Sequence, residues 1–198
     1  MEDSFLTIAA AAEGWYKEKG SKFMAFACPV SNEEEIRKKV EALRKKYFDA
    51  RHHCFAWRLG VNGEHYRVND DGEPSNSAGK PILGQIISCG LTNVLVVVVR
   101  YFGGVLLGTG GLMQAYKQAA LDALSHAEIV SGTVNKSFLF TFDYPDMNRI
   151  LKVLKEMDLE CTEQNFNLSC SMRVTVRKTL SAAMLQKVER IESLKVTD

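Results

Sequence analysis

In the stretch Asn93-Val94-Leu95-Val96-Val97-Val98-Val99, Val and Leu follow Asn93 without polar alternation, a pattern that predicts a strand over 93–99 buried on both faces at the centre of a sheet. Arg100 ends it, so the chain turns polar where the strand emerges. A first strand is expected around residues 5–11. A second is expected over 22–30, bounded by Gly20 and Pro29. Ser31 followed by three glutamates predicts a helix start, with Ser31 as cap and Glu34 at the capping-box position. Ile36, Val40, Leu43 and Tyr47 or Phe48 then recur at helical spacing and form its buried stripe. Alternation over residues 52–59 and again at Tyr66-Arg67-Val68, with Val61-Asn62-Gly63-Glu64 between, predicts a hairpin. A helix is expected over residues 79–88, capped by Ser77 or Asn76, with Pro81 tolerated in its first turn. A second Ala/Leu-rich helix is expected over 112–126. The N-terminal part therefore reads as a sheet with helices on one side.

The pattern restarts after residues 128–132 as strand 134–142, helix 145–157, strands 161–167 and 169–176, and helix 180–191, with a last strand at 193–196. That βαββαβ order is a ferredoxin-like plan. The expectation is an α+β chain of two domains, residues 1–130 and 131–198. No internal repeat or low-complexity segment interrupts it.

Composition narrows the function classes. With 198 residues and 46% hydrophobic residues, the chain is long enough to bury packed cores. A net charge of +1 provides no global basic field, so any nucleic-acid site is a local patch. No apolar run reaches the roughly 18 residues that span a bilayer, and the acidic N-terminus argues against a secretory leader. Five scattered cysteines, Cys28, Cys54, Cys89, Cys161 and Cys170, form no CxxC pair and read as buried thiols of a reducing cytoplasm.

Two glycine clusters flank the chemistry. Gly103-Gly104 and Gly108-Thr109-Gly110-Gly111 lie between the apolar strand and a helix, where free amides and the helix dipole suit an anion such as phosphate. The same glycines can equally serve tight strand-to-helix packing. They lack the Lys-Ser/Thr of a P-loop and the GxGxxG order of a dinucleotide fold. Arg51, His52, His53, Arg58, Lys80 and Arg100 are the cations available to surround an anion, with Tyr101 and Phe102 as aromatic faces. If Arg51 lies beside Arg100, they form a basic groove. Alternation puts His52 and His53 on opposite faces, so the two cannot share one metal. Asp70, Asp71 and Glu73 form an acidic turn that either caps and bends the chain or binds a divalent cation or supplies a base. Ser77, Thr109 and Cys89 are nucleophile types, but no nucleophile motif frames them.

The runs DDGEPSNSAGKPIL and VVVVRYFGGVLLGTGGL, at this short spacing, together resemble the paired signature of the IMPACT/YigZ family. The chain departs from it at Ser75-Asn76-Ser77, where members often read Gly-Thr or similar. The resemblance implies an N-terminal IMPACT domain, with a βαβ fold like one domain of a small-subunit ribosomal protein and domain four of elongation factor G. It implies a C-terminal domain like domain five of that factor. It also implies an association with control of translation, although eukaryotic relatives act through a further protein-binding domain that this sequence does not contain. Three readings follow. The first is a non-enzymatic factor that binds RNA, the ribosome or a translation-linked protein through the basic glycine-rich site. The second is an enzyme acting on a phosphorylated or nucleotide substrate, and the third a protein-interaction module using the ferredoxin-like sheet. No cofactor, metal or membrane partner is expected.

Overall fold

The computed structural model describes residues 3–166 and 170–198. The chain divides into two compact units. One is Phe5–Gly132; the other is Thr133–Asp198 together with Asp3 and Ser4. The division thus falls two residues after the expected 130/131 boundary, and the described amino-terminal residues ahead of Phe5 count with the second unit.

In chain order the first unit contains β1 (Ser4–Ile8), β2 (Ala12–Glu18), β3 (Ser21–Pro29), α1 (Glu33–Lys46), β4 (His52–Leu59), β5 (His65–Asn69), α2 (Gly79–Ser88), β6 (Val94–Tyr101), α3 (Gly108–Ser125) and β7 (Ile129–Thr133). Strands β2, β3, β6, β4 and β5 form one sheet in that order, with every pairing antiparallel. β6 is its middle strand, and Val94 through Val99 are fully buried, as an apolar run without alternation requires. β1 pairs with β7 in a separate ribbon.

Helices cover both faces of the five-stranded sheet, not one. Val94, Val96 and Val98 pack with Ile82, Ile86, Leu112 and Tyr116 of α2 and α3. Leu95, Val97 and Val99 pack with Ile36 and Val40 of α1. The doubly buried β6 already required a layer on each side. α1 is capped by Asn32 rather than Ser31: Asn32 Oδ1 accepts from the Glu35 amide at 2.9 Å, and Glu35 Oε2 accepts from the Ser31 amide at 2.9 Å. The cap is shifted one residue along, and the returning Glu35 carboxylate reaches the amide of the residue before the cap rather than that of the cap itself.

β2 has no counterpart in the expected elements. It is an edge strand of mixed polarity, AEGWYKE, with only Gly14 buried, and an edge strand has no need of an apolar run. Gly14 lies against α3, where a Cβ would stand 2.2 Å from the Ala123 amide nitrogen.

The second unit contains β8 (Asn135–Phe142), α4 (Met147–Glu156), β9 (Cys161–Phe166), β10 (Cys170–Arg177), α5 (Ser181–Val188) and β11 (Lys195–Thr197). Its antiparallel sheet has the order β11-β8-β10-β9, which with two helices is the ferredoxin-like plan. Phe138, Phe140, Phe142, Met172, Val174 and Val176 alternate onto one face against Ile150, Leu154, Met184 and Val188. The expected ends of two strands at Asn167 and Ser169 lie outside the described residues.

Gly14→Ala forces β2 away from α3 and lowers stability by about 2 kcal/mol, within the range for overpacking. Urea denaturation of the full chain measures it; an unchanged midpoint contradicts the close approach.

Candidate functional site: a buried ion pair and an open groove

Arg100 closes β6 on the face covered by α2 and α3, flanked in register by Phe23 of β3 and His52 of β4. It is not a surface cation. Its side chain is 6% exposed and that of Glu73 is 4% exposed, with Arg100 Nη1 donating to Glu73 Oε1 at 2.5 Å. The Tyr116 hydroxyl of α3 donates to the same oxygen at 2.7 Å, and His52 Nε2 stands 3.8 Å from it. The guanidinium carbon lies 5.4 Å from the Phe23 ring centroid and 5.7 Å from that of Phe102. Three chain segments, the strand end, the acidic turn and α3, therefore converge on one carboxylate oxygen. Burial pushes the Tyr116 phenol and the neighbouring Cys54 thiol well above their ordinary values, so both keep their protons.

The other two acids of the turn are also engaged within the protein. Asp70 Oδ1 accepts from the amides of Ala78 and Gly79 at 3.0 and 2.8 Å, and its Oδ2 from the Asn76 amide at 2.8 Å. Asp70 therefore caps α2 from the preceding loop. Neither expected cap does so, since the Ser77 hydroxyl donates to the Pro74 carbonyl at 2.6 Å. Asp71 Oδ1 accepts from Arg44 of α1 at 2.7 Å, while its Oδ2 accepts from the His53 amide at 2.7 Å. His52 Nδ1 lies 2.7 Å from the Asp71 carbonyl oxygen and donates to it. Among the described residues no group of three or more His, Cys, Asp or Glu side chains is placed to hold a metal.

The second glycine cluster is not a turn ahead of a helix. It is the first turn of α3, which begins at Gly108 with φ +69°. Leu107 precedes it and no side chain caps it. Gly108, Thr109 and Gly110 are exposed, and their amides are among those that a helix leaves without an internal acceptor. The Gly103 amide, by contrast, donates to Ser21 Oγ at 3.1 Å.

Beside this helix start lies a groove of about 690 Å³ between α2 and α3, lined by Ser75, Asn76, Ser77, Lys80, Gln85, Thr109, Gly110, Met113, Gln114 and Lys117 among others. Lys80 and Lys117 bring two positive charges to it, and its rim offers hydroxyls and unsatisfied amides. Such a lining is chemically suited to a phosphate or another anion.

Of the residues singled out from the sequence, the structure gathers Lys80, Thr109 and Gly110 in this groove. Gly108 starts the same helix, and Gly111 is half-buried in its first turn. Arg100, His52 and Glu73 line no part of it; Arg100 and Glu73 are buried and His52 is half-buried. Arg51 is exposed and adjoins Arg100 through its backbone amide, 2.9 Å from the Arg100 carbonyl, but a basic groove built on both side chains does not form because Arg100 points into the core. His53 lies on the opposite sheet face, with Nε2 3.1 Å from the Tyr47 carbonyl. Tyr101 donates to Asp49 at 2.9 Å. Gly104 is exposed at φ +86° and lines no part of the groove. Arg58 clamps the hairpin by donating to the carbonyls of Gly63, Leu91 and Asn62. Lys117, Gln114 and Gln85 are groove residues that the sequence reading missed. The signal for the first two was present: positions 110, 113, 114 and 117 share one face of a 3.6-residue helix.

The Impact N-terminal domain family model matches residues 19–124. IMPACT family member YvyE of Bacillus subtilis is 32% identical over 167 residues, covering 84% of this chain and 77% of that protein. IMPACT family member YigZ of Escherichia coli is 32% identical over 176 residues, covering 88% and 86%. A solved structure described as a hypothetical protein superposes with a TM-score of 0.76 at 30% identity, covering 99% of this chain and 97% of that one.

Arg100→Met leaves the Glu73 carboxylate buried without its cation and lowers stability by about 3–5 kcal/mol; denaturant titration reads it, and a loss under about 1 kcal/mol contradicts a closed pair. Burial holds the His53 imidazole below its ordinary 6.5, against the opposing pull of the Tyr47 carbonyl and Asp71. Below pH 6.5 the unfolded chain takes up a proton that the folded ring refuses. This contribution to stability is therefore present above that pH and is lost as pH falls towards the folded value. Thermal melts from pH 8 to 5, in about half-unit steps, should fall more steeply in the native chain than in His53→Gln.

Proposed function

The chain belongs to the IMPACT family, and on that footing we propose that it is a non-enzymatic, translation-associated factor that binds RNA through the α2–α3 groove. The observation that carries this reading is the uncapped, exposed start of α3 opening beside Lys80 and Lys117. Exposed amides at a helix start favour a negative group, and two lysines add charge that RNA phosphates neutralise. The long-range attraction is local rather than global, in keeping with a net charge of only +1.

The link to translation comes from the family resemblance. In the same reading the first unit corresponds to domain four of elongation factor G and to a small-subunit ribosomal protein domain, and the second to domain five of that factor. A reducing cytoplasm is the proposed location, and the five free cysteines suit it. The buried Cys54 thiol and the engaged acids of the 70–73 turn support a binding role for this region over a catalytic one, since each of these groups already has a structural task.

Fluorescence anisotropy with a labelled single-stranded RNA, taken from roughly 50 to 200 mM salt, tests the proposal. Binding should weaken as salt rises, and Lys80→Ala and Lys117→Ala should each flatten the log–log salt slope by about 0.7, the share of one single-strand phosphate. Absence of salt-dependent binding by the native chain at low salt overturns it.

A further inference from the structure

Gln85 is anomalous where it stands. α2 turns Ile82, Leu83 and Ile86 into the core, yet Gln85 beside them is only 8% exposed and lines the α2–α3 groove. Its side-chain amide has no hydrogen-bond partner among the described residues. Its polar atoms are not among the described side-chain atoms cut off from solvent, so the little of Gln85 that stays accessible includes its amide, which opens into the groove with its donors and acceptor unused by the protein. The groove it lines is the one that holds Thr109 and Gly110 of the open α3 start, so a polar group waiting for partners and an anion-favouring helix end share one cavity.

A volume of about 690 Å³ falls in the range of small-molecule sites. Its walls are divided by chemistry. Lys80 and the α3 amides suit a phosphate; Pro81 and Met113 offer apolar surface for a flat ring; the Gln85 amide presents a donor beside an acceptor. A nucleotide has a matching anion, a flat face and a donor–acceptor edge.

We propose that the groove holds one nucleotide of a bound single strand and that the Gln85 amide reads the edge of its base, with adenine as the preferred partner because a carboxamide pairs bidentately with its N6 and N7, an edge that uracil and cytosine lack. The phosphate sits at the start of α3 and the base lies over Pro81 and Met113. This inference rests on the RNA-binding reading above, but it adds base selection, which phosphate contacts alone do not supply.

The test compares oligo(A), oligo(U) and oligo(C) binding to the full native chain and to Gln85→Leu, each over a salt series. A bidentate base contact corresponds to a discrimination of roughly five-fold or more. The native chain should favour oligo(A) by that margin, and Gln85→Leu should lose the preference while keeping the native salt slope. RNA binding with normal salt dependence and the same base preference in both proteins overturns the base-reading role and leaves the RNA-binding reading standing. Failure of the native chain to bind any of the three overturns both. Because leucine suits a buried helix position, Gln85→Leu should fold, and a native circular dichroism spectrum and unfolding midpoint verify it. Gln85→Glu gives a second arm, keeping size and shape while removing the amide donors. Restoration of the native oligo(A) preference by Gln85→Glu also counts against the proposal.

Discussion

Arg100 and Glu73 form a charged pair inside the first unit, and its neighbours compensate it in part, Arg100 Nε being left buried without a hydrogen-bond partner. Two ions withdrawn from water gain from each other only when geometry and neighbouring hydrogen bonds compensate their lost hydration. Here Tyr116 supplies a further donor to the same carboxylate oxygen, and two aromatic rings face the guanidinium. The pair ties the end of the middle strand to a turn 27 residues upstream and to the third helix at once. Its value lies less in net stability than in allowing one arrangement of these three segments. Asp70 and Asp71 extend the constraint, one by holding the start of α2 and the other by joining the turn to β4 and Arg44.

The consequence for function is a separation of charges by depth. Arg100, which a reading by residue type places on the surface as an anion ligand, is held below as part of the scaffold. Lys80 and Lys117 instead line the open groove. The acidic turn is likewise scaffold, since its carboxylates are engaged by amides, by arginines and by a phenol. What remains available is the start of α3 and the cleft beside it. Membership of the IMPACT family fits the match across the first unit, and the ferredoxin-like second unit completes a two-domain α+β chain.

Much of this architecture is legible in the sequence because its signals are local. The Val-rich run marked the middle strand, alternation marked the β4–β5 hairpin, and the restart after residue 132 revealed the second unit. β2 was hidden because an edge strand carries no apolar stripe, and α1 was expected on the wrong side of the sheet because periodicity states which residues are buried, not against which face. The glycines at 108–111 read as a turn, since glycine disfavours helix interiors, yet they lie at the open first turn where that cost is smallest. Arg100 and Glu73 could be picked out as charged residues, but their pairing depends on the fold bringing residues 73, 100 and 116 together. Gln85 was invisible for a related reason: a glutamine in a helix is unremarkable until its surroundings are known.

In the proposed function the buried pair holds the elements that frame the groove, and RNA binds at the open start of α3. Backbone amide NMR of the full chain, titrated with a short single-stranded RNA at low salt, locates the bound strand. The largest shifts should fall on Gly108, Thr109 and Gly110 and on the groove face of α2, with β5 and α1 unmoved. Shifts concentrated on the ferredoxin-like sheet, or on α1, with the α3 amides unchanged, would contradict it.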